Sequence, residues 1–537
     1  LPGGRLTSVR QLLGWCIKAL LKGVMYVFTA YLSLTGLLSG SSDEAAVNAA
    51  KSTLSAAIPV VGGIASDASE AVLQSAKLLR ATAGTFGILA VLAVALVPFF
   101  KIMICYLTMK LTAAIAGLAA GKEHAALISA QSSAMGYVLG MTGSAALMLL
   151  FVSQCSPLYP INLWDDANCL LTVGRVMRRG GVLYRDIYEQ KGPLLYLIHA
   201  LAACVSDTSF LGVYVLEIPA LTAALYAAYR LLRLRTGAGF ALGAAAVWGA
   251  LTVTSGAFMR GDSAEEFCLP LLTAALALAY AEYGRRARPM RAKRLLLCGV
   301  LAGGIATIKY TLLGAMVGLC AVEGALALKE GGAPRALKSA GVFLAGMAIP
   351  ILPWVIYFAA NGALRDAYTA YIYNNVFLYG GEAASWGQRL GELARCVQKN
   401  ALWAVPAALG LAALAADRGE TAAVRLCVAA MAAGQFAAVF FVGRVWAYSL
   451  LALAAFGVIG CMQLQRVLKK IGCPRGKKAL TAAACAASLL LAWFATPNAF
   501  LRGQKLGQLA QGRLAAAMPE GATLLQYSHL DDGLYLA

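Results

Sequence analysis

The sequence predicts an all-α fold, a polytopic integral membrane helix bundle. Of its 537 residues 60% are hydrophobic and only 13% charged, and the mean hydropathy is +0.71. Apolar runs of about 18 to 22 residues recur along the chain, each long enough to cross a hydrocarbon core of roughly 30 Å. The net charge of +20 at pH 7 comes from Lys and Arg in short loops between those runs. That distribution sets membrane orientation and gives no reason to expect a nucleic-acid partner. The 13 cysteines are scattered singly, mostly inside apolar segments, and read as small core hydrophobes. His124, His199 and His529 lie too far apart in sequence to suggest a metal cluster.

Residues 1–153 form a small-residue-rich, multi-span membrane segment. A basic lead with Arg5, Arg10, Lys18 and Lys22 precedes an apolar run from Val24 to Leu38. Next comes GSSDEAAVNAAKSTLSAAIPVVGGIASDASEAVLQSAKLLRAT, whose Ala, Ser and Gly allow close helix approach. Pro59, Gly62 and Gly63 break it, as in a re-entrant element. Asp43, Glu44, Asp67 and Glu70 read as solvated loop and helix-end residues. A second apolar run, Ala83 to Phe100, leads to Lys101 and Lys110.

Further spans are expected near 137–155, 209–229, 239–258, 266–281, 295–308, 311–328, 339–360, 401–416, 422–442, 445–464 and 479–496. Alternate loops hold Arg230, Arg233 and Arg235; Arg285 to Arg294; Lys329, Arg335 and Lys338; and Arg466 to Lys478. By the positive-inside rule these face the cytoplasm. The opposite, extracytoplasmic set comprises the first outer loop (156–208), the 262–266 segment, Lys309, the 361–400 loop, Arg444 and a tail over 497–537. Trp386 and Tyr379 in the 361–400 loop read as interfacial belt aromatics. The chain starts at Leu1 without an initiator Met and stops after Leu534-Tyr535-Leu536, which suggests a piece of a longer protein.

Ionisable and aromatic residues concentrate in WDDANCLLTVGRVMRRGGVLYRDIYEQKGPLLY, Trp164 to Tyr196. Charge beside a bilayer is costly, and a cluster of it there usually serves transport or chemistry. No Gly-rich phosphate loop following a strand occurs, so a soluble nucleotide-sugar site is not expected.

Two resemblances follow from these segments. KGVMYVFTAYLSLTGLLSG, IPVVGGIASDASEAVL and VALVPFFKIMICYLTMKLTAA make residues 1 to about 153 resemble the membrane half of the stage III sporulation protein AE family. That family implies a multi-span subunit of a channel between mother cell and forespore, with other stage III sporulation membrane proteins as partners. Asp165-Asp166, GGVLYRDIYEQKGPLLYLIHA, RGDSAEEF, GGIATIKY and GRVWAYSLLALAAFG occur in order over about 149–537. This part resembles the GT-C glycosyltransferases that use polyprenyl-phosphate sugars, the class of the protein mannosyltransferases and the aminoarabinose transferase. The resemblance implies a transferase domain over 149–496 in a bacterial cell membrane. Its donor would be a lipid-linked sugar and its active site extracytoplasmic.

Sugar transfer from a lipid phosphate needs a base for the acceptor hydroxyl, positive charge for the departing phosphate and a dry pocket. The resemblance puts the first-loop acid at Asp165, the expected base. Asp166 either orients the substrate or caps the following helix, and capping is also the alternative for the pair. Lys191, ahead of the Gly192-Pro193 turn, is implied to contact the donor phosphate; the alternative is snorkelling to headgroups. Lys309 and Arg444 either anchor the interface or add charge around that phosphate. Tyr184, Arg185, Asp186 and Tyr188 suit the gripping of sugar hydroxyls. Asp262, Glu265, Glu266 and Tyr448 complete the substrate-binding set, although helix-dipole stabilisation alone explains acids at 265 and 266. The family pattern makes Glu265 the acid for acceptor binding or a shared metal. No residue is assigned as a metal ligand, and no cofactor beyond the lipid-linked donor is read. The alternative function is a non-enzymatic subunit of the sporulation channel, with the chain a natural or artefactual fusion.

Overall fold

The computed structural model describes residues 103–113, 115–116, 122–378, 385–441, 445–470 and 478–519. Two compact units divide the chain, Leu1–Ser132 and Ser133–Ala537. In the first, a short apolar helix spans Met103–Ala113. The helix α1, Lys122–Val152, begins in the first unit and continues into the second.

Among the described residues of the second unit the regular elements are helical, apart from one isolated bridge between Leu183 and Ile187. After α1 come α2 (Asp165–Arg178), α3 (Pro193–Val205), α4 (Leu211–Arg233), α5 (Ala238–Val253), α6 (Ala264–Tyr283), α7 (Ala292–Lys309) and α8 (Gly314–Ala360). A π-helical stretch, Tyr368–Leu378, follows, then α9 (Trp386–Lys399), α10 (Ala401–Ala416) and α11 (Ala422–Phe441). A 3₁₀ turn series, Tyr448–Phe456, runs into α12 (Gly457–Lys470), and α13 is Lys478–Phe494.

Among the described residues seven helices are long and apolar enough to cross a membrane, or eight if the bent pair α9–α10, 102° apart, counts as one span. The expected spans at 311–328 and 339–360 emerge as the two arms of α8. They meet at Gly331 and Gly332, where Gly332 takes a φ of 66° that a side chain would resist. The expected span near 239–258 is corrected in length: α5 has 16 residues, short of the ~20 a perpendicular crossing takes, whereas α13, 17 described residues, lies close to the expected 479–496. These two short helices pack against each other.

Local sequence sets the ends that matter for the site. Pro193 opens α3 at a position where its missing N–H costs nothing, and Gly192 before it is extended. Ser263 caps α6 by accepting the Glu266 N–H at 3.0 Å. Ser385 and Gln388 form a reciprocal capping box on α9, whose exposed Trp386 rests on the rings of Phe440 and Phe441.

The loops expected on each side do gather. At one end Glu420, ahead of α11, bonds Arg235 after α4 and Arg466 in α12, and Glu282 in α6 is ringed by Arg286, Arg291 and Arg294. At the other end Asn498 reaches Gln154 at 2.8 Å and the Met259 carbonyl at 2.9 Å, while Asn375 reaches the Gln190 carbonyl at 2.8 Å. Chain segments hundreds of residues apart therefore converge around the start of α2.

Candidate active site

The mouth is built on two backbone joins. Asn168 donates to the carbonyls of Asn162 (2.9 Å) and Trp164 (2.7 Å), which fixes how the chain enters α2. Gly192 donates its N–H to the Ile308 carbonyl at 2.8 Å, tying the residue after Lys191 to the residue before Lys309. A Cβ at Gly192 would lie 2.2 Å from the Thr307 oxygen, so only glycine permits this approach. The two lysines thereby reach one place from different parts of the chain.

Asp165 and Asp166 lie in the first turn of α2, with Trp164 at the N-cap position and no side-chain capping bond. Two acids in the first turn also suit the positive end of the helix, so the helix-end alternative for them stays open. Asp166 meets the Lys191 ammonium at 3.3 Å, and Asp165 forms no ion pair among the described residues. Glu189 lies 3.9 Å from Lys191 and accepts a short hydrogen bond from the Tyr196 hydroxyl. That hydroxyl in turn accepts the Lys191 N–H at 3.0 Å. Burial opposes the charge on Lys191, but Glu189 and Asp166 outweigh it and hold the ammonium above the ordinary lysine range.

Lys309 bonds Glu265 at 2.7 Å and stands 5.4 Å from the centre of the Tyr448 ring. Tyr448 also acts electrostatically on Lys191 and packs against Trp164 at 5.4 Å and Trp446 at 6.5 Å. Asp166, Lys191, Tyr448, Lys309 and Glu265 thus form one continuous set. Arg444 lies outside the described residues, as does Tyr379.

The rest of the first loop is a buttress. Tyr184 is buried at a φ of 67°, donates to the Lys191 carbonyl at 2.5 Å and stacks on Tyr371. Its hydroxyl is committed to holding Lys191. Tyr371 donates to the Ala306 carbonyl at 2.6 Å and accepts the Tyr310 N–H at 3.1 Å, so it ties this loop to the end of α7. Arg185 forks onto Asp186 and donates to the Asn361 carbonyl at 2.9 Å. Asp186 also accepts the Val182 N–H at 2.7 Å. The Arg185 guanidinium, followed by that N–H, holds the Asp186 carboxyl down to about 2. Tyr188 is exposed and accepts from Asn374 at 3.1 Å.

Asp262 and Glu266 are buried, as is Glu265, and the Asp262 N–H donates to Glu266 at 2.9 Å. The same N–H reaches Glu217 of α4 at 3.0 Å, and the Asp262 carboxyl meets His199 of α3 at 2.7 Å. Burial pushes the Asp262 carboxyl up, with His199 only partly opposing it. Sequence reasoning missed Glu217 and His199 as a pair, although a lone acid in the apolar run LGVYVLEIPALTAAL is itself a signal. It also missed Arg260, which donates to the Leu163 carbonyl just ahead of Trp164. Among the described residues no group of three or more His, Cys, Asp or Glu is disposed to hold a metal ion.

The described unit is similar to solved structures of ArnT from Cupriavidus metallidurans. With undecaprenyl phosphate bound, that structure shares 13% identity over 74% of this chain and 84% of the other, at a TM-score of 0.53. The apo structure gives 13% identity over 75% and 85%, also at 0.53. The fold is of the GT-C glycosyltransferase kind. The GT-C resemblance read from the motifs of 149–537 is therefore a likeness of fold as well as of motif. Residues 3–154 match the family model of stage III sporulation protein AE, close to the 1–153 expected from sequence. No curated protein matches the chain.

Proposed function

We propose that this chain is an integral-membrane glycosyltransferase that moves a sugar from a polyprenyl-phosphate donor to an extracytoplasmic acceptor. The observation that carries the reading is the gathering of Lys191 and Lys309 at one end of a GT-C fold, with Asp165, the neighbour of the Asp166 that meets Lys191, in no ion pair among the described residues. The solved ArnT structure with undecaprenyl phosphate supports a lipid-phosphate ligand for that fold. In this reading Asp165 takes the acceptor hydroxyl proton as the acceptor oxygen attacks the anomeric carbon. The bond from that carbon to the phosphate oxygen breaks, and the released polyprenyl phosphate carries the electron pair. Lys191 and Lys309 stabilise the charge that develops there, exchanging their carboxylate partners for phosphate oxygens. Glu265 and Tyr448 line the acceptor side, with Tyr188 and Arg185 at the rim, and Arg444, four residues before Tyr448 in sequence, is a further cation. Residues 149–496 form the transferase domain, 1–153 a sporulation-protein-AE-like module, and 497–537 the start of an outer tail.

The test is sugar release from a polyprenyl-phosphate sugar by the purified chain in lipid. Asp165→Asn is expected to lower turnover by ~10²–10⁴-fold, the contribution of a positioned base. Wild-type turnover by that variant would move the base elsewhere.

The match over residues 3–154 favours a second reading, a membrane subunit of the sporulation channel. Sporulation arrest on deleting 1–132 while sugar transfer by the remainder persists would assign the two roles to the two parts. A single sequencing read across the codons for 140–165 separates a natural fusion from an assembly error.

A further inference from the structure

We propose that His199, Glu217 and Glu266 are positioning residues that hold the 259–262 strap, and with it Glu265 against Lys309, and that they do so as a set that retains protons. The meaning given to Glu265 and Lys309 rests on the transferase reading; the proton count does not.

The count follows from hydrogen-bond chemistry. His199 Nδ1 lies 2.8 Å from the Leu195 carbonyl, which only accepts, so Nδ1 carries a hydrogen. Nε2 lies 2.7 Å from the Asp262 carboxyl. Either imidazolium donates to carboxylate or carboxylic acid donates to imidazole, so one proton always sits in that contact. The Asp262 N–H is shared by Glu217 Oε1 at 3.0 Å and Glu266 Oε2 at 2.9 Å, which draws two more carboxyl groups together on one hydrogen. All three acids are at most 4% exposed, and one oxygen of each finds no partner among the described residues. No Lys or Arg pairs with them there. Adjoining carboxyl groups out of water do not ionise together, so the two glutamates keep at least one further proton.

The strap needs such a floor. Met259, Gly261 and Asp262 take φ values of 54°, 84° and 65°, a left-handed run that two of these side chains resist. Glu217 also accepts the Ser153 hydroxyl at 3.0 Å, anchoring the floor to the turn after α1. Immediately beyond the strap Ser263 caps α6, whose first turn delivers Glu265 to Lys309. The other titratable groups facing the floor are Asp166 of α2, Lys191 ahead of α3, Cys155 of the turn after α1 and Tyr214 of α4. Lys191 is the one cation in that group, and Asp166 and Glu189 already engage it. Losing the shared proton leaves buried like charges side by side, which drives the strap open.

The test uses the full chain in lipid nanodiscs. Infrared difference spectra on raising the pH should show a protonated-carboxyl band that persists at neutral pH, weakens in Glu217→Gln and disappears as the pH rises. Wild-type turnover should fall over the same pH range, by about tenfold per pH unit beyond the midpoint as loss of one proton requires, whereas Glu217→Gln, which mimics the protonated acid, stays flat. Absence of the band at neutral pH, or a band untouched by Glu217→Gln, overturns the proton-retaining floor even if transfer is active. A band that behaves as expected while turnover ignores it overturns the positioning role. If no sugar is transferred at all, the midpoint of thermal unfolding replaces turnover: a wild-type fall with pH that Glu217→Gln lacks supports the floor, and equal slopes refute it. Should Glu217→Gln not fold, Ser153→Ala, which removes a donor to the same acid, must shift the band, and a failure to shift it counts against the proposal.

Discussion

The Lys191 ammonium lies 3.3 Å from the Asp166 carboxylate, joining the segment ahead of α3 to the first turn of α2. The contact holds a cation at the mouth, while Asp165, one residue away, forms no ion pair among the described residues. It also makes Asp166 a competitor for any phosphate that Lys191 binds.

Opposite substitutions of that pair should therefore separate. Lys191→Ala is expected to reduce kcat/KM by roughly 10²–10³-fold, as removal of one group that stabilises developing charge does. Asp166→Asn is expected to leave kcat nearly intact and lower the donor KM a few-fold, since a competing charge-assisted hydrogen bond of about 1–2 kcal/mol is gone. Steady-state kinetics with a polyprenyl-phosphate sugar decide it; a collapse of kcat in Asp166→Asn would make that residue the base.

The pH responses of the loop run in opposite directions. Lys191 is raised above the ordinary lysine range, so its contribution is complete below the unfolded lysine value and is lost only at still higher pH. Affinity for a phosphodiester analogue should stay flat from about pH 7 to about pH 10 on its account, measurable by titration calorimetry. Asp186 is depressed to about 2 from 3.8, so the clasp it makes with Arg185 and the Val182 N–H is intact above 3.8 and weakens as pH falls toward 2. Protease cleavage confined to 182–188 in acid, and absent at neutral pH, is the expected sign.

Gly192→Ala should be as damaging as losing a lysine. Its methyl would fall 2.2 Å from the Thr307 oxygen and close to the Ile308 oxygen, both backbone atoms that cannot step aside. Overpacking of this kind costs about 1–3 kcal/mol. We expect a lower unfolding midpoint together with a rise in donor KM, because the displaced segment carries Lys191. An unchanged KM in a folded variant would show that the two lysines do not depend on this join.

At the other end Glu282→Gln tests stability without touching the mouth. Glu282 is 1% exposed and faces Arg286, Arg291 and Arg294. Removing its charge releases three guanidinium groups that already reach solvent, at a cost of about 1 kcal/mol, the scale of partly solvated pairs. Thermal unfolding in detergent should reveal the drop, with turnover per folded molecule preserved.

Much of this arrangement was legible from the chain. Apolar runs located the helices, and alternating basic loops sorted Arg235 and Arg466 to one end, where Glu420 bonds both, and Asp166, Lys191 and Lys309 to the other. Lys191 stood out because a Gly-Pro turn follows it. Side-chain direction was not legible. Tyr184 looked like a sugar contact, yet its positive φ turns it inward onto the Lys191 carbonyl, and no local pattern encodes that conformation for tyrosine. Glu265 and Glu266 are neighbours in sequence, but successive helical positions point about 100° apart, so one meets Lys309 and the other sinks to Glu217. Glu217 and His199 were hidden by their apolar surroundings, where a lone polar residue does not announce its partner.

The hydrogen bond from Gly192 to Ile308 belongs to the main chain, so the spacing of the two lysine backbones is inherited from peptide geometry. Side chains around the mouth are then free to diverge over evolutionary time without altering that spacing, which in the transferase reading is the span a lipid phosphate would bridge. A scaffold of this sort can change its clientele while keeping the same grip.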